Sequence, residues 1–244
     1  MEHKVKSDKF DVKRLKTITI VFISIASLLF FSILLYQSAP LTGNETVLTV
    51  NGEPVCHAEF SLIMSGLRAN VFSYFSQKYG VEGDTDFWTS RYGSEVPEEL
   101  LRESTISKLK RIKVEQLLMK QHGLILDVSY AEFLRDLETE NDRRRKALSK
   151  NLPIYGPKQY EERVYYDYLH SVRTEKLKQI LSKQELLVSE TEAQRFYEDN
   201  KKLRYKKTDQ SYEEVRSQIE RALLNAKYDA MIENLAIQAD VEFR

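Results

Sequence analysis

Apolar positions fall first into one unbroken run and then into stretches where they recur every three or four residues. The unbroken run, Thr17 to Tyr36, reads TITIVFISIASLLFFSILLY and carries no charge. Twenty helical residues span roughly 30 Å, about the thickness of a bilayer's hydrocarbon core. The run is longer than the apolar region of a secretory signal, and Tyr36-Gln37-Ser38-Ala39-Pro40 offers no small-x-small cleavage pattern. The expectation is an uncleaved transmembrane anchor over 17–36.

Its flanks predict an orientation. Lys4, Lys6, Lys9, Lys13, Arg14 and Lys16 precede the run, and no Lys or Arg follows it before Arg68. Cations stay on the cytoplasmic side. The sequence therefore divides into a cytoplasmic basic tail (1–16), the anchor (17–36), a polar linker (37–45) and an extracytoplasmic domain (46–244) on the outer face of the cytoplasmic membrane.

Within 46–244 the pattern is mostly helical. Thr46 to Val50 alternates as a strand does, and Asn51-Gly52 is a tight-turn signal because both residues tolerate positive φ. Phe60, Met64, Leu67, Val71 and Phe75 then recur at helical spacing, predicting a helix over about 57–78. Glu59 stands three places after the cap position, as in a capping box, but Cys56 occupies that position with a weak acceptor. After a loop around Asp84, Phe87 and Trp88, a helix is predicted over 97–122, with Leu101, Ile106, Leu109, Ile112 and Leu117 inward and Gly123 closing it. Ser129/Glu132, Ser189/Glu192 and Ser211/Glu214 form capping boxes that open three more helices. A further helix is expected over 158–183 with Tyr160, Val164, Tyr168 and Val172 on its inner stripe, and Asn141 to Lys146 reads as a solvated face. The tail from Ala239 to Phe243 alternates again and is expected to pair with Thr46–Val50, since neither short strand is stable alone. The fold class is thus mainly α, with a small sheet joining the two ends of the domain.

Composition narrows the chemistry. Lys+Arg and Asp+Glu are 37 each, and this zero balance argues against a nucleic-acid binder. The single cysteine, Cys56, excludes an intrachain disulfide. His3, His57, His122 and His170 form no spaced pair, so no metal site is predicted, and no glycine-rich phosphate loop implies a nucleotide or other cofactor. Cys56 and His57 are adjacent at a helix start, point in different directions and lack a third orienting group, so no catalytic residue is assigned.

The order of elements carries a resemblance. Val50-Asn51-Gly52-Glu53-Pro54-Val55 followed by Glu59-Phe60 resembles the opening of the SurA/PrsA-type extracytoplasmic foldases, with Cys56 where Ser or Thr is usual. Val188-Ser189-Glu190-Thr191-Glu192 with Phe196-Tyr197 and Asn200 is similar to the segment that precedes the parvulin domain of those proteins. Ser211 to Phe243 looks like the helix and strand that follow it. Between Asn200 and Ser211 only ten residues stand where the family carries its prolyl isomerase domain.

The resemblance implies a helical chaperone module, without isomerase activity, whose partners are unfolded or newly exported polypeptides. It also implies two alternatives: a prolyl isomerase, or an envelope assembly protein with one dedicated partner. Homo-oligomerisation is left open. Client-binding candidates come from the aromatic clusters: Phe72, Tyr74 and Phe75; Phe87 and Trp88; Tyr155, Tyr165, Tyr166 and Tyr168. Rings at helical spacing usually form core. Tyr165, Tyr166 and Tyr168 cannot share one face of a helix, so at least one ring is expected at the surface.

Overall fold

A computed structural model describes residues 43–200 and 210–244. The predicted anchor, the basic tail and most of the linker lie outside the described residues. Among those described, no helix is long and apolar enough to cross a membrane.

The chain enters through a hairpin. Strand β1 (Thr46–Val50) turns at Asn51-Gly52 into β2 (Glu53–Cys56). Both turn residues take left-handed backbone, φ 50° and 79°, the conformation Asn and Gly accept most cheaply. At the other end of the sequence, β3 (Val241–Phe243) lies antiparallel to β1, with Leu48 opposite Phe243 and Val50 opposite Val241. The sheet order is β2-β1-β3. Asn51 also clamps the returning strand: its N–H donates to Asp240 O and its Oδ1 accepts from Asp240 N–H, each at 2.9 Å. The expected union of the two ends is present, and β2 is a strand that the sequence pattern did not predict.

Six helices follow among the described residues: α1 (His57–Tyr79), α2 (Pro97–Gln121), α3 (Tyr130–Ser149), α4 (Glu162–Leu181), α5 (Glu190–Asn200) and α6 (Tyr212–Gln238). Helices α1 and α2 pack on each other, α2 also meets α4, α6 and β1, and α5 folds against α6. The main core collects Leu48, Val50 and Val55 of the sheet with Leu109 and Ile112 of α2, Leu177 of α4 and Ile232 of α6. Two satellite cores form where α1 meets the 80–96 loop and where α5 meets α6.

Helix starts follow the sequence signals unevenly. Ser211 N–H donates to Glu214 at 2.7 Å, as a capping box requires. Ser129 accepts from Glu132 N–H, but its own N–H turns back to Asp127 at 2.8 Å, and Glu132 pairs with Arg135 instead. Cys56 makes no side-chain cap bond. Glu59 does not cap α1 either, because its carboxylate is drawn into the core.

Two expectations are corrected in α3 and α4. Helix α4 begins at Glu162 rather than near Lys158. Asn141 explains the delay: it accepts from Tyr160 N–H at 2.8 Å and donates to Tyr160 O at 3.0 Å, holding that residue's backbone away from helix pairing. Segment 141–146 is consequently solvated only in part: Asn141 and Arg144 are buried, whereas Arg143, Arg145 and Lys146 are exposed. Within α4, Tyr165, Tyr166, Leu177 and Leu181 face the core. Val164 and Tyr168, expected inside, are 49% and 50% exposed.

Candidate functional site: a tyrosine platform beside a groove

Buried charge is the first candidate for chemistry. Lys113 and Glu59 are wholly enclosed, with Nζ 3.0 Å from Oε2. Lys113 donates to Val128 O at 3.1 Å, and Tyr166 donates to Glu59 Oε1 at 2.9 Å. Burial and the neighbouring Glu59 push the Tyr166 hydroxyl well above its ordinary range, so it stays a donor. Tyr130, whose partner is Glu162, is pushed up by burial and then by that carboxylate.

A second set joins α2, α4 and α6. Glu115 accepts from Tyr228 at 2.8 Å and lies 2.8 Å from His170 Nε2. Burial works to raise Glu115, but the His170 and Tyr228 hydrogen bonds and the Arg111 charge together hold it below the usual carboxylate range. These groups satisfy one another across helix interfaces. None is a nucleophile with an adjacent base, and no cluster of three or more metal-type ligands occurs among the described residues.

The aromatic candidates separate into two places. Around Phe75, Tyr74, Tyr79, Phe87 and Tyr92 lie with ring centroids 5.4 to 5.9 Å away. Phe72 packs edge-on against Phe87, and Arg68 covers the Trp88 ring at 3.9 Å. This cluster fastens the 80–96 loop to α1. Phe75 and Phe87 are core, Phe72 and Trp88 are half-buried, and only the rim residue Tyr74 is exposed, its hydroxyl donating to Glu95.

The second place has the character of a binding surface. Tyr165 and Tyr166 are buried against Phe133. Tyr168 stacks on Tyr160 at 5.5 Å and 18°, and presents its other face outward next to Val164, one helical turn earlier. Tyr160 is held by Asn141 beneath and by the Arg144 guanidinium, 4.3 Å from its ring centroid. Arg144 also donates to the carbonyls of Tyr155 and Pro157, which fixes the connector between α3 and α4. The Tyr155 ring itself is 91% exposed.

Tyr160 forms at once the base of the tyrosine stack and one wall of a groove of about 770 Å³. Leu134 and Leu137 of α3 supply its apolar lining, and Glu138, Glu161 and Glu162 stand on its polar edge. Apolar side chains and carboxylates thus line one groove, a combination that suits an apolar segment carrying a cation.

Of the nine predicted residues, then, Phe75, Phe87, Tyr165 and Tyr166 are core, Phe72 and Trp88 are half-buried, and Tyr74, Tyr155 and Tyr168 reach solvent. Val164, Leu134, Asn141 and Arg144 were missed. The available signal was Asn141: an amide in mid-helix followed by a connector with Pro153, Gly156 and Pro157 marks a side chain that can bind backbone.

The chain matches no family model, and no solved structure matches it. It is similar, at 25% identity over 169 residues, to a protein of Bifidobacterium longum subsp. longum named chaperone for lacto-N-biosidase. The match covers 69% of this chain and 60% of that protein, so this chain spans somewhat more than half of its relative's length.

Proposed function

We propose that this chain is a membrane-tethered, extracytoplasmic chaperone-like protein of the SurA/PrsA kind, which shields apolar segments of exported polypeptide and performs no prolyl isomerisation. The observation that carries this reading is the exposed Val164–Tyr168 stripe stacked on Tyr160 beside the α3 groove. Two neighbouring apolar side chains left half open to water beside a groove give a client segment something to pack against. Tyrosine suits the task, because its ring packs and its hydroxyl hydrogen-bonds. The similarity to a protein named as a chaperone supports the same reading from outside the structure. Tethering by residues 17–36 would keep the groove near emerging chains, so modest affinity suffices.

The relative's name states a single client, which favours a dedicated client, an exported enzyme, over general holding. The test uses the full chain in lipid nanodiscs. Suppression of aggregation is measured on several unrelated unfolded proteins and on the exported enzyme that co-purifies with the chain. Protection of that enzyme alone supports a dedicated chaperone; protection of all supports general holding; protection of none overturns both. Tyr168→Ser with Val164→Ser should weaken client binding by about tenfold or more, as loss of a central aromatic anchor does. Measurable catalysis of proline isomerisation would refute the non-enzymatic reading.

A further inference from the structure

The same helical hairpin carries a second surface of opposite character. From Arg143 to Lys158 the sequence holds six cations and no acid, in a chain whose net charge is zero. Three of the six are occupied: Arg143 and Arg144 pair with Glu140, and Arg145 pairs with Glu138 and Asp142. Lys146, Lys150 and Lys158 are exposed and make no ion pair among the described residues. Between them protrude Leu152, 54% exposed, and Tyr155.

The tip is rigid. Leu152 N–H donates to Ala147 O at 2.9 Å, Asn151 and Gly156 take left-handed backbone, and Arg144 holds the carbonyls of Tyr155 and Pro157. Arg144 thus satisfies two of the connector's carbonyls from inside, and Leu152 and Tyr155 stand exposed. Leu134 and Leu137, by contrast, line a groove with an acidic edge. A groove fits a polypeptide. Two exposed apolar side chains flanked in sequence by three exposed lysines fit an interface that is apolar below and anionic above.

We propose that the α3–α4 tip, Lys146 to Lys158, docks on an anionic lipid surface, with Leu152 and Tyr155 entering the headgroup layer. The inference rests on the tethered reading above, which brings the domain to a bilayer. Tyrosine favours the interfacial layer because its ring is apolar and its hydroxyl stays wet. Lysines near an anionic leaflet add attraction that salt screens. A fixed backbone means little ordering is lost on contact.

The test places a reporter at the tip. Tyr155→Trp is made in the full chain, which is reconstituted into vesicles with brominated acyl chains. One set contains phosphatidylglycerol with phosphatidylcholine, the other phosphatidylcholine alone. Trp88, the natural tryptophan, is the internal reference in the unsubstituted chain. On phosphatidylglycerol the added tryptophan should be quenched at least about twofold more than Trp88. The excess should vanish on phosphatidylcholine and in the Lys146→Gln, Lys150→Gln, Lys158→Gln variant, where the contact constant falls on the order of a hundredfold. A chain that floats with the vesicles while position 155 stays unquenched, or is quenched equally on both lipids, overturns the tip contact alone. A chain that floats with neither overturns the anchor as well. Binding of an acidic client peptide through the three lysines, with no quenching by lipid, would also overturn it.

Discussion

Lys113 and Glu59 show how far one residue's neighbours decide its role. In the sequence, Glu59 is an N3 carboxylate and Lys113 is one cation in a charged helix. In the fold they share a site with no solvent, joined by Tyr166 and Val128 O. Coulombic attraction there is offset by the cost of stripping water from both ions, so the pair adds little net stability, yet either ion alone is very costly. Lys113→Met should therefore destabilise the domain by about 3–5 kcal/mol, the penalty of an unpaired buried carboxylate. Adding Glu59→Leu and Tyr166→Phe removes the orphaned carboxylate and its hydroxyl partner, though not the Val128 carbonyl that Lys113 had bonded, and should restore most of that loss. The check is urea unfolding of the three proteins. If the triple variant is no more stable than the single one, the pair contributes through packing and the electrostatic account fails.

At the scale of elements, the α3–α4 connector depends on two side chains that look solvated in sequence. Asn141 imitates a strand neighbour, taking both backbone groups of Tyr160. Asn141→Ala leaves a buried N–H and C=O without partners, at about 2–4 kcal/mol. It also frees Tyr160, the base of the Tyr168 stack. The expected outcome is a lower melting temperature together with weakened client binding, whereas an equally destabilising cavity elsewhere in the core should leave binding intact. The helices themselves were legible from spacing and caps, and so was the union of the chain's ends, because two short alternating strands need each other. The binding surface was legible only in part. Periodicity places Tyr160, Val164 and Tyr168 on one inner stripe, but α4 begins only at Glu162, Asn141 holds Tyr160 outside it, and Val164 and Tyr168 face solvent. Likewise the rings around Phe75 read as a possible site until the 80–96 loop folded over them.

Across the whole molecule, Glu115 occupies a joint. It stands on α2 and is bonded by His170 of α4 and Tyr228 of α6, so its ionisation state is felt by three helices. Burial alone would raise this carboxyl, but the hydrogen bonds and Arg111 prevail and lower it below its ordinary 4.5. The folded state thus binds its proton less readily than the unfolded chain does. The stability from this site is complete above about pH 4.5 and disappears as pH falls through the lower folded value. Glu115→Gln preserves shape while removing the charge, so the variant should melt below the parent at pH 7. As pH falls below about 4.5 and through the lower folded value, the parent's carboxyl takes up its proton, comes to resemble the amide, and the gap in melting temperature should close. Other carboxylates, Glu95 among them at about 2, titrate in both proteins and cancel in the comparison. A gap that stays constant across that range would mean that Glu115 joins the helices by shape rather than by charge.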